Sequence, residues 1–248
     1  MKNKRFVRTE MLIGADGINN LAKAKVMIVG LGAVGGYCLE GLARAGVGHF
    51  VLVDFDSFEE SNVNRQILAV SSTLGQKKTI IAKERVLSIN PEAEVKLKDM
   101  FVNAETIAEL LAEQPDFVID AIDALNPKCD LIQALTAANI PFISSMGAAL
   151  KTDPSKIKFG ALSNSRNCSL AKFIRKRLRK RGVDIAKINC VWSDEQVLLP
   201  ESAQAMPETS AAEGRTRHTL GSLPTITAVF GLIIANQAVL MLSGFKKH

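Results

Sequence analysis

A glycine-rich turn between a short apolar run and a helical segment limits the folds open to this chain more than any other feature. Residues 25–29 form the apolar run, and Gly30, Gly32 and Gly35 follow it in the spacing Gly-x-Gly-x-x-Gly. Glycines at this spacing permit a tight turn and leave the first N–H groups of the next helix free to bind phosphate. The pattern predicts a nucleotide-binding strand, turn and helix.

Strands and helices alternate through the first 150 residues. Further strands are predicted at residues 48–53, 94–97, 117–120 and 140–144. Segments of helical spacing lie between them, at residues 37–45, 76–89, 105–112 and 126–138. This alternation predicts an α/β fold with a Rossmann-like, doubly wound and mainly parallel sheet. Strand-like runs at residues 156–162 and 189–192 are expected to extend that sheet with antiparallel strands.

The length of 248 residues predicts one domain, since single cores stop growing near about 250 residues. We expect residues 1–150 to form its nucleotide-binding part and residues 151–248 its substrate-binding part. Residues 193–222 are rich in Ser, Glu, Pro and Gly, which predicts a mobile loop, either a cover for a site or a disordered insertion. The apolar run 224–242 has the length of a membrane span, but its four polar residues favour a buried core helix.

The composition is that of a soluble globular protein, with 47% apolar and 23% charged residues. Four cysteines lie far apart without a CxxC pair, so neither a disulfide framework nor a structural zinc is indicated. Cys190 has two interpretations, a thioester-forming nucleophile or a buried structural thiol, and its neighbours Val191 and Trp192 favour the second. No secretory signal is recognised at the start, so we expect a cytoplasmic protein.

A dense basic segment lies in the second half of the chain. Six cations occupy seven positions, namely Arg175, Lys176, Arg177, Arg179, Lys180 and Arg181. Together with a formal net charge of +6, this clustering is typical of a surface that contacts nucleic-acid phosphates. A solvated helix end explains the same residues, and both interpretations stay open.

The residues around the glycine turn point to a nucleotide. Asp54 ends the second strand, 19 residues after Gly35, where a carboxylate can accept hydrogen bonds from ribose hydroxyls. That much leaves NAD and ATP both possible. A triphosphate needs cations, which Arg65 and Lys78 can supply, while Asp123 after a later strand can hold Mg²⁺. All of these residues follow strand ends that a parallel sheet brings to one edge.

Six motifs in order carry a resemblance to a known superfamily. They are Arg5-x-x-Arg8, GLGAVG, VDFD, SNVNRQ, GQKK and IDAID. This series resembles the ATP-binding domain of the ubiquitin-activating and molybdopterin/thiamine adenylyltransferase superfamily over residues 5–150. The resemblance implies attack of a substrate carboxylate on the α-phosphorus of ATP, giving an acyl adenylate and pyrophosphate.

The resemblance also implies roles for single residues around the nucleotide. Asp54 is similar to the ribose-binding acid of the superfamily, and Asp56 belongs to the same motif. Asn62 and Arg65 are similar to its contacts to the nucleotide phosphates, and Lys78 to its phosphate-binding lysine.

Two further implied roles concern the metal and the oligomer. Asp123 is similar to the acid that holds Mg²⁺ on the pyrophosphate side. Arg8 is similar to the arginine that reaches the triphosphate from a second subunit, which implies a homodimer.

Weaker motifs in the second half indicate the substrate. The segments KTDPSKI, LAK, NCVWS and TAVFG are similar to those of the tRNA threonylcarbamoyladenosine dehydratases. These enzymes adenylate the threonyl carboxylate of the modified adenosine beside the anticodon and dehydrate it to a cyclic form, so tRNA is the implied partner. Two alternatives stay open: activation of the C-terminal Gly of a sulfur-carrier protein, and a non-catalytic nucleotide-sensing RNA-binding module. A sulfur-transfer protein partner and membrane contact through residues 224–242 also stay open.

Overall fold

A seven-stranded sheet organises the chain in the computed structural model, in the order β3-β2-β1-β4-β5-β7-β6. The structure describes residues 4–197 and 220–246, together with the backbone of residues 206–209 and 216–219. The strands of the sheet are β1 Lys25–Val29, β2 His49–Val53, β3 Glu94–Lys98, β4 Phe117–Asp120, β5 Phe142–Ser145, β6 Ile157–Ala161 and β7 Asn189–Ser193. They match the predicted strands to within two residues at either end.

Seven α-helices accompany these strands in the part of the chain that the structure describes. They are α1 Val7–Lys23, α2 Gly35–Ala45, α3 Lys78–Ile89, α4 Ile107–Leu111, α5 Leu125–Ala137, α6 Ser169–Lys180 and α7 Pro224–Ser243. Helix α1 has no counterpart among the predicted elements. It is interrupted at Gly14, whose φ of 79° takes the backbone out of the helical region, and this break disturbs the apolar spacing that a helix prediction needs.

The sheet confirms the predicted fold class. Strands β1 to β5 all run parallel, and β7 runs parallel to β5. The antiparallel extension is a single outer strand, β6, which pairs with β7. The chain leaves β1 for β2 on one side and returns to β4 on the other, and ligands of open α/β sheets bind at such a reversal of strand order.

Helix α7 lies against α2 and fills the core, as predicted for residues 224–242. Its residues Phe230, Ile234 and Ala238 are fully buried and belong to the same apolar cluster as residues of β1 and β2. A Cβ on Gly231 would come within 2.5 Å of the Val34 carbonyl oxygen, so the two helices pack at backbone distance. The helix is long and apolar enough to cross a membrane, and 39% of its most apolar window is buried in the protein.

Fourteen of the thirty residues of the predicted loop at residues 193–222 lie outside the described residues. Within it the structure describes two short strands, β8 Met206–Thr209 and β9 Thr216–Thr219, which pair antiparallel in a sheet of their own. The segment therefore contains regular structure that its polar composition does not predict.

Candidate functional site

The glycine turn lies at the reversal of strand order, between the carboxyl ends of β1 and β4. Gly30 has a φ of +92°, and a Cβ there would lie 2.9 Å from the Ala121 carbonyl oxygen, which follows β4. A Cβ on Gly35 would lie 1.8 Å from the Gly30 carbonyl oxygen. The fold itself therefore requires glycine at both positions.

Gly32 is different, because the fold does not require it. A Cβ there would meet the Gln66 side chain at 3.8 Å, an ordinary contact distance. A glycine that the protein's own packing does not need leaves room for the close approach of a ligand. The turn thus presents an open cradle at the point where the sequence predicts a nucleotide.

Asp54 connects this turn to the end of β2. One carboxylate oxygen accepts a hydrogen bond from the Leu31 N–H at 2.7 Å, and the other accepts one from the Asp56 N–H at 2.9 Å. Burial raises the pKa of the Asp54 carboxyl, and Lys78 with these two backbone donors opposes that shift. The carboxylate is fixed against the glycine turn, with acceptor capacity left on each oxygen.

Lys78 is the first residue of α3 and is buried, with 5% of its surface exposed. Its ammonium nitrogen Nζ lies 3.0 Å from Oδ2 of Asp56, and its backbone N–H donates to the Asp56 carbonyl oxygen at 3.1 Å. An ammonium group has three donors, so at least one stays available beside the nucleotide cradle. Asp54, Asp56 and Lys78 are thus brought together as predicted.

Asn62 and Arg65 lie on the segment that follows β2. Asn62 is buried and accepts from the Glu59 N–H through its side-chain oxygen at 3.2 Å. The Arg65 guanidinium is half-buried and donates to the Ser61 carbonyl oxygen at 2.8 Å and to Asn64 Oδ1 at 3.0 Å. These contacts curl the Arg65 side chain over its own segment, with other guanidinium donors still available.

Gln66 is a site residue that the sequence motifs did not single out. Its side chain faces Gly32, 7% of the residue is exposed, and its oxygen Oε1 is buried without a hydrogen-bond partner among the described residues. A buried polar atom left without a partner is unfavourable, and a ligand in the cradle can supply the missing hydrogen bond. The SNVNRQ motif contains this residue, but its orientation is visible only in three dimensions.

Asp123 lies on the turn after β4, exposed and without a hydrogen bond to any other described residue. Behind it is a fully buried group of three side chains. Lys128 Nζ lies 2.7 Å from Asp120 Oδ2 and 3.1 Å from Ser144 Oγ, and Ser144 donates to the same Asp120 oxygen at 2.6 Å. The other Asp120 oxygen accepts from the Ile122 N–H at 3.1 Å, which fixes the turn one residue before Asp123.

Arg8 lies near the amino ends of the strands, on the side of the sheet opposite the glycine turn. Phe6, two residues before it, packs against Gly46, which leads into the amino end of β2. The glycine turn lies beyond the carboxyl ends of the strands, about 16 Å away along a five-residue strand. Arg8 therefore does not belong to the group of site residues within its own chain.

The glycine turn, Asp54, Lys78 and Asp123 lie where the parallel strands end, and we call this side of the sheet the nucleotide edge. The second half of the chain contacts it through backbone carbonyl oxygens. The Leu150 N–H donates to the Gly221 carbonyl oxygen at 2.9 Å, and Asn64 Nδ2 lies 3.4 Å from the Ser222 carbonyl oxygen. Lys151 is buried, which lowers the pKa of its ammonium group. The ammonium group donates to the carbonyl oxygens of Asn167 and of Glu195, which follows β7. Segments after β5, β7 and β9 thus converge beside the segment that carries Arg65.

The basic segment divides into residues that are paired within the protein and residues that are not. Arg175 donates to the Ser165 carbonyl oxygen at 2.7 Å, and Arg181 lies 2.6 Å from Asp130 Oδ1. Among the described residues no carboxylate pairs with the remaining four cations, Lys176, Arg177, Arg179 and Lys180. The structure thus leaves these four charges available to a partner.

The cysteines do not form a reactive centre. All four are buried, and burial raises the pKa of the Cys190 thiol to about 12. Such a thiol is protonated at neutral pH and cannot act as a nucleophile. Within the described residues no group of three His, Cys, Asp or Glu side chains is placed to hold a metal ion, so any metal would rest on fewer protein ligands.

Comparisons with known proteins agree with this geometry. A model of the ThiF family matches residues 6–248. A Bacillus subtilis relative named tRNA threonylcarbamoyladenosine dehydratase is 36% identical over 238 residues, which cover 95% of this chain and 93% of that protein. The molybdopterin-synthase adenylyltransferase of Escherichia coli is 36% identical over 151 residues, which cover 60% of this chain and 59% of that protein.

A solved structure resembles the whole chain. The Escherichia coli tRNA N6-threonylcarbamoyladenosine dehydratase, crystallised in complex with ATP, has a TM-score of 0.87 with this protein. The two are 31% identical, and the match covers 97% of this chain and 94% of that one.

Proposed function

This chain belongs to the ThiF family, and we propose that it uses ATP to adenylate the threonyl carboxylate of threonylcarbamoyladenosine in tRNA, next to the anticodon, and dehydrates the nucleoside to its cyclic form. The observation that carries this proposal is the extent of the similarity. The B. subtilis dehydratase matches both halves of the chain, whereas the molybdopterin-synthase adenylyltransferase matches three fifths of it. Activation of a sulfur-carrier protein and a non-catalytic RNA-binding module are therefore not favoured.

The nucleotide edge supplies the groups that ATP needs. We assign ribose binding to Asp54, which the turn holds in place, and phosphate binding to Asn62, Arg65 and Lys78. Lys78 is buried, so its charge acts through a medium of low dielectric constant, where it stabilises a phosphate more than an exposed lysine does. The Gln66 side chain lies beside Gly32, with its amide nitrogen Nε2 nearest to that glycine.

Asp123 fits a magnesium ion held jointly with the nucleotide. Mg²⁺ in nucleotide sites rests on one or two carboxylates together with phosphate oxygens, and Asp123 is an exposed carboxylate without a described partner. When bound, the ion neutralises charge on the leaving pyrophosphate. Asp120 and Lys128 position the turn on which Asp123 lies.

The first chemical step joins two anions. An oxygen of the threonyl carboxylate attacks the α-phosphorus, the bond to the bridging oxygen breaks, and pyrophosphate leaves with the electron pair. The carboxylate has no proton to lose, so this step needs no general base. Arg65 and Lys78 stabilise the charge that grows on the leaving group, and such an interaction favours the transition state over the ground state.

The second step closes the ring. A nucleophilic group of the same modified side chain attacks the acyl carbon, AMP leaves with one carboxylate oxygen, and a proton is released. The nucleoside has then lost the elements of water. No covalent enzyme intermediate is required, in agreement with the buried, protonated thiol of Cys190.

We propose a homodimer in which Arg8 completes the site of the partner. Arg8 lies on α1, near the amino ends of the strands and far from the site of its own chain, and α1 also exposes Met11 and Leu12 by 82% and 72%. Large apolar side chains exposed to this extent mark a contact surface. Mixing the Arg8→Ala and Asp123→Asn proteins tests this, since a mixed dimer contains one complete site and regains activity. Two inactive proteins that stay inactive on mixing would exclude this assignment.

The remaining partners follow from charge and location. We propose that the four unpaired cations of α6, Lys176, Arg177, Arg179 and Lys180, contact tRNA phosphates. We also propose that the enzyme is cytoplasmic. Contacts with a sulfur-transfer protein and with a membrane stay predictions. The division into parts 1–150 and 151–248 of one domain also stays a prediction, supported by the position of α7 in the core.

The function is tested by incubating the protein with ATP, Mg²⁺ and tRNA that carries threonylcarbamoyladenosine. We expect the nucleoside mass to fall by one water molecule and pyrophosphate to appear. Asp123→Asn should abolish both while tRNA binding persists, whereas Asp99→Asn, at an exposed carboxylate near the same edge, should not. Pyrophosphate exchange that depends on a carrier protein and ignores tRNA would refute the proposal.

A further inference from the structure

An aromatic ring lies exposed on the most basic helix of the protein. Phe173 is 54% exposed, and four cations of α6 are exposed around it: Lys172, Lys176, Arg179 and Lys180. We call these five residues the outer face of α6. The opposite side of the helix, formed by Ala171, Ile174 and Leu178, is buried in the protein.

The helical spacing places Phe173 among charges. Residues three, four and seven positions further along, on the same side of the helix, are Lys176, Arg177 and Lys180. Within residues 4–197 and 220–246 no carboxylate pairs with any of these three. An exposed ring beside unpaired cations is thus a property of this surface.

The surroundings of the ring decide which partner it fits. A protein helix or groove is bound through apolar residues repeated at three- and four-residue intervals, and here cations occupy those positions. A second copy of α6 would bring like charges together. Single-stranded nucleic acid needs this combination, because its phosphates pair with cations while its bases stack on an aromatic ring.

The outer face begins at the nucleotide edge of the sheet. A Cβ on Gly147, two residues after β5, would lie 3.5 Å from Cys168 Sγ and 3.7 Å from Leu170 Cβ, so α6 starts beside the carboxyl end of β5. Strand β5 neighbours β4, which leads to Asp123. Phe173 lies one helical turn from this end of α6, about 6 Å along its axis.

We infer that the outer face of α6 holds an unpaired nucleotide of the tRNA substrate, with its base stacked on Phe173 and its neighbouring phosphates on Lys172, Lys176 and Lys180. This inference rests on the proposed function, in which the modified adenosine lies in the anticodon loop. Bases in such loops are unpaired and can turn outward onto aromatic side chains. The ring therefore selects the loop, and the cations hold the strand beside the nucleotide edge.

Fluorescence anisotropy with two labelled RNAs of equal length tests this: an anticodon stem–loop and a fully paired duplex. We expect Phe173→Ala to weaken stem–loop binding about tenfold, the effect of losing one base–aromatic stack, with duplex binding unchanged. Phe173→Trp should restore the affinity. Met241→Ala, which truncates another exposed apolar side chain, is the matched control and should bind as the wild type.

Two outcomes would overturn the inference: unchanged stem–loop binding by Phe173→Ala, or equal weakening for stem–loop and duplex. Thermal unfolding of the variant verifies that the exposed truncation leaves the fold intact. The proposed function is tested separately, by product formation in the wild type. A wild type that binds the stem–loop through Phe173 but forms no cyclic nucleoside would refute the function and leave this surface as an RNA-binding site.

Discussion

The nucleotide edge and the outer face of α6 both carry lysines, but they hold them differently. Lys78 and Lys128 each lie within 3.0 Å of a carboxylate oxygen and are buried. The lysines of the outer face are exposed, and no described carboxylate pairs with them. A partnered, buried charge acts at a fixed place, whereas a free surface charge attracts over about one Debye length and weakens with salt. The nucleotide edge thus has the properties of a catalytic site, and the outer face of α6 has those of a surface that attracts and binds a charged partner.

The largest effect is expected from Lys128→Met. Removing this ammonium leaves the Asp120 carboxylate buried without its counter-charge, and breaking a buried pair in this way costs about 3–5 kcal/mol. Urea unfolding followed by circular dichroism should show that loss. Lys96→Met is the control, because the Lys96 side chain is 59% exposed and its ion pair with Glu113 contributes at most about 1 kcal/mol. Equal losses for both variants would contradict the distinction between buried and exposed pairs.

A double variant separates stability from positioning. Replacing the pair by apolar residues in Asp120→Leu with Lys128→Met should recover much of the lost stability, since buried pairs are often replaceable in this way. The Ile122 N–H would still lack the acceptor that fixes the turn before Asp123. We therefore expect kcat to stay low with little change in the KM for tRNA. Full activity of the double variant would reduce the buried pair to a packing element.

Lys78→Met is expected to lower kcat by about 10²–10³, the usual effect of removing one donor that stabilises transition-state charge. Its loss should not depend on salt, because the group is buried. The adjacent Lys77 is a close control: it is half-exposed and pairs with Asp99 at 3.2 Å. Pyrophosphate release at saturating tRNA, measured at two salt concentrations, compares the two variants. A comparable loss of kcat in Lys77→Met would contradict the assignment of the phosphate contact to Lys78 alone.

Much of the nucleotide edge is predictable because its geometry follows from local rules. A strand, a glycine turn and a helix recur with fixed spacing, and parallel strands bring Asp54, Lys78 and Asp123 to one edge whatever the rest of the chain does. The alternation of strands and helices likewise depends on periodicity within short windows. These features are encoded close to where they act.

The parts that escaped prediction depend on distant packing. A lysine in a sequence is ordinarily a surface charge, and nothing local marks Lys128 as buried, although the acid in the apolar FVID run is a faint signal of a buried partner. The orphaned oxygen of Gln66 depends on how its segment folds over Gly32. The basic segment gives six equivalent cations in sequence, while the fold pairs Arg175 with the Ser165 carbonyl oxygen and Arg181 with Asp130.

On the outer face a charge variant should change attraction without changing chemistry. Lys176→Ala with Lys180→Ala removes two phosphate contacts, and each contact contributes about 0.7–0.9 to the slope of log affinity against log salt. We expect that slope to fall by about 1.4–1.8, with kcat at saturating tRNA unchanged. Lys187→Ala, at an exposed lysine outside α6, should leave the slope within error of the wild type. A reduced kcat at saturating tRNA would move these lysines into the chemical site.

The smallest effect is expected at Gly32, the one glycine of the turn motif that the fold leaves free. An alanine Cβ there meets Gln66 at ordinary contact distance, so Gly32→Ala should not change thermal unfolding. The methyl group would stand in the cradle and weaken ATP binding a few-fold, measurable by calorimetry. Gly35→Ala is the contrast, because its Cβ would overlap the Gly30 carbonyl oxygen at 1.8 Å and the protein should lose stability before any question of binding arises. If Gly32→Ala binds ATP as tightly as the wild type, the nucleotide does not approach the turn at this residue, and the cradle must lie nearer to Asp54.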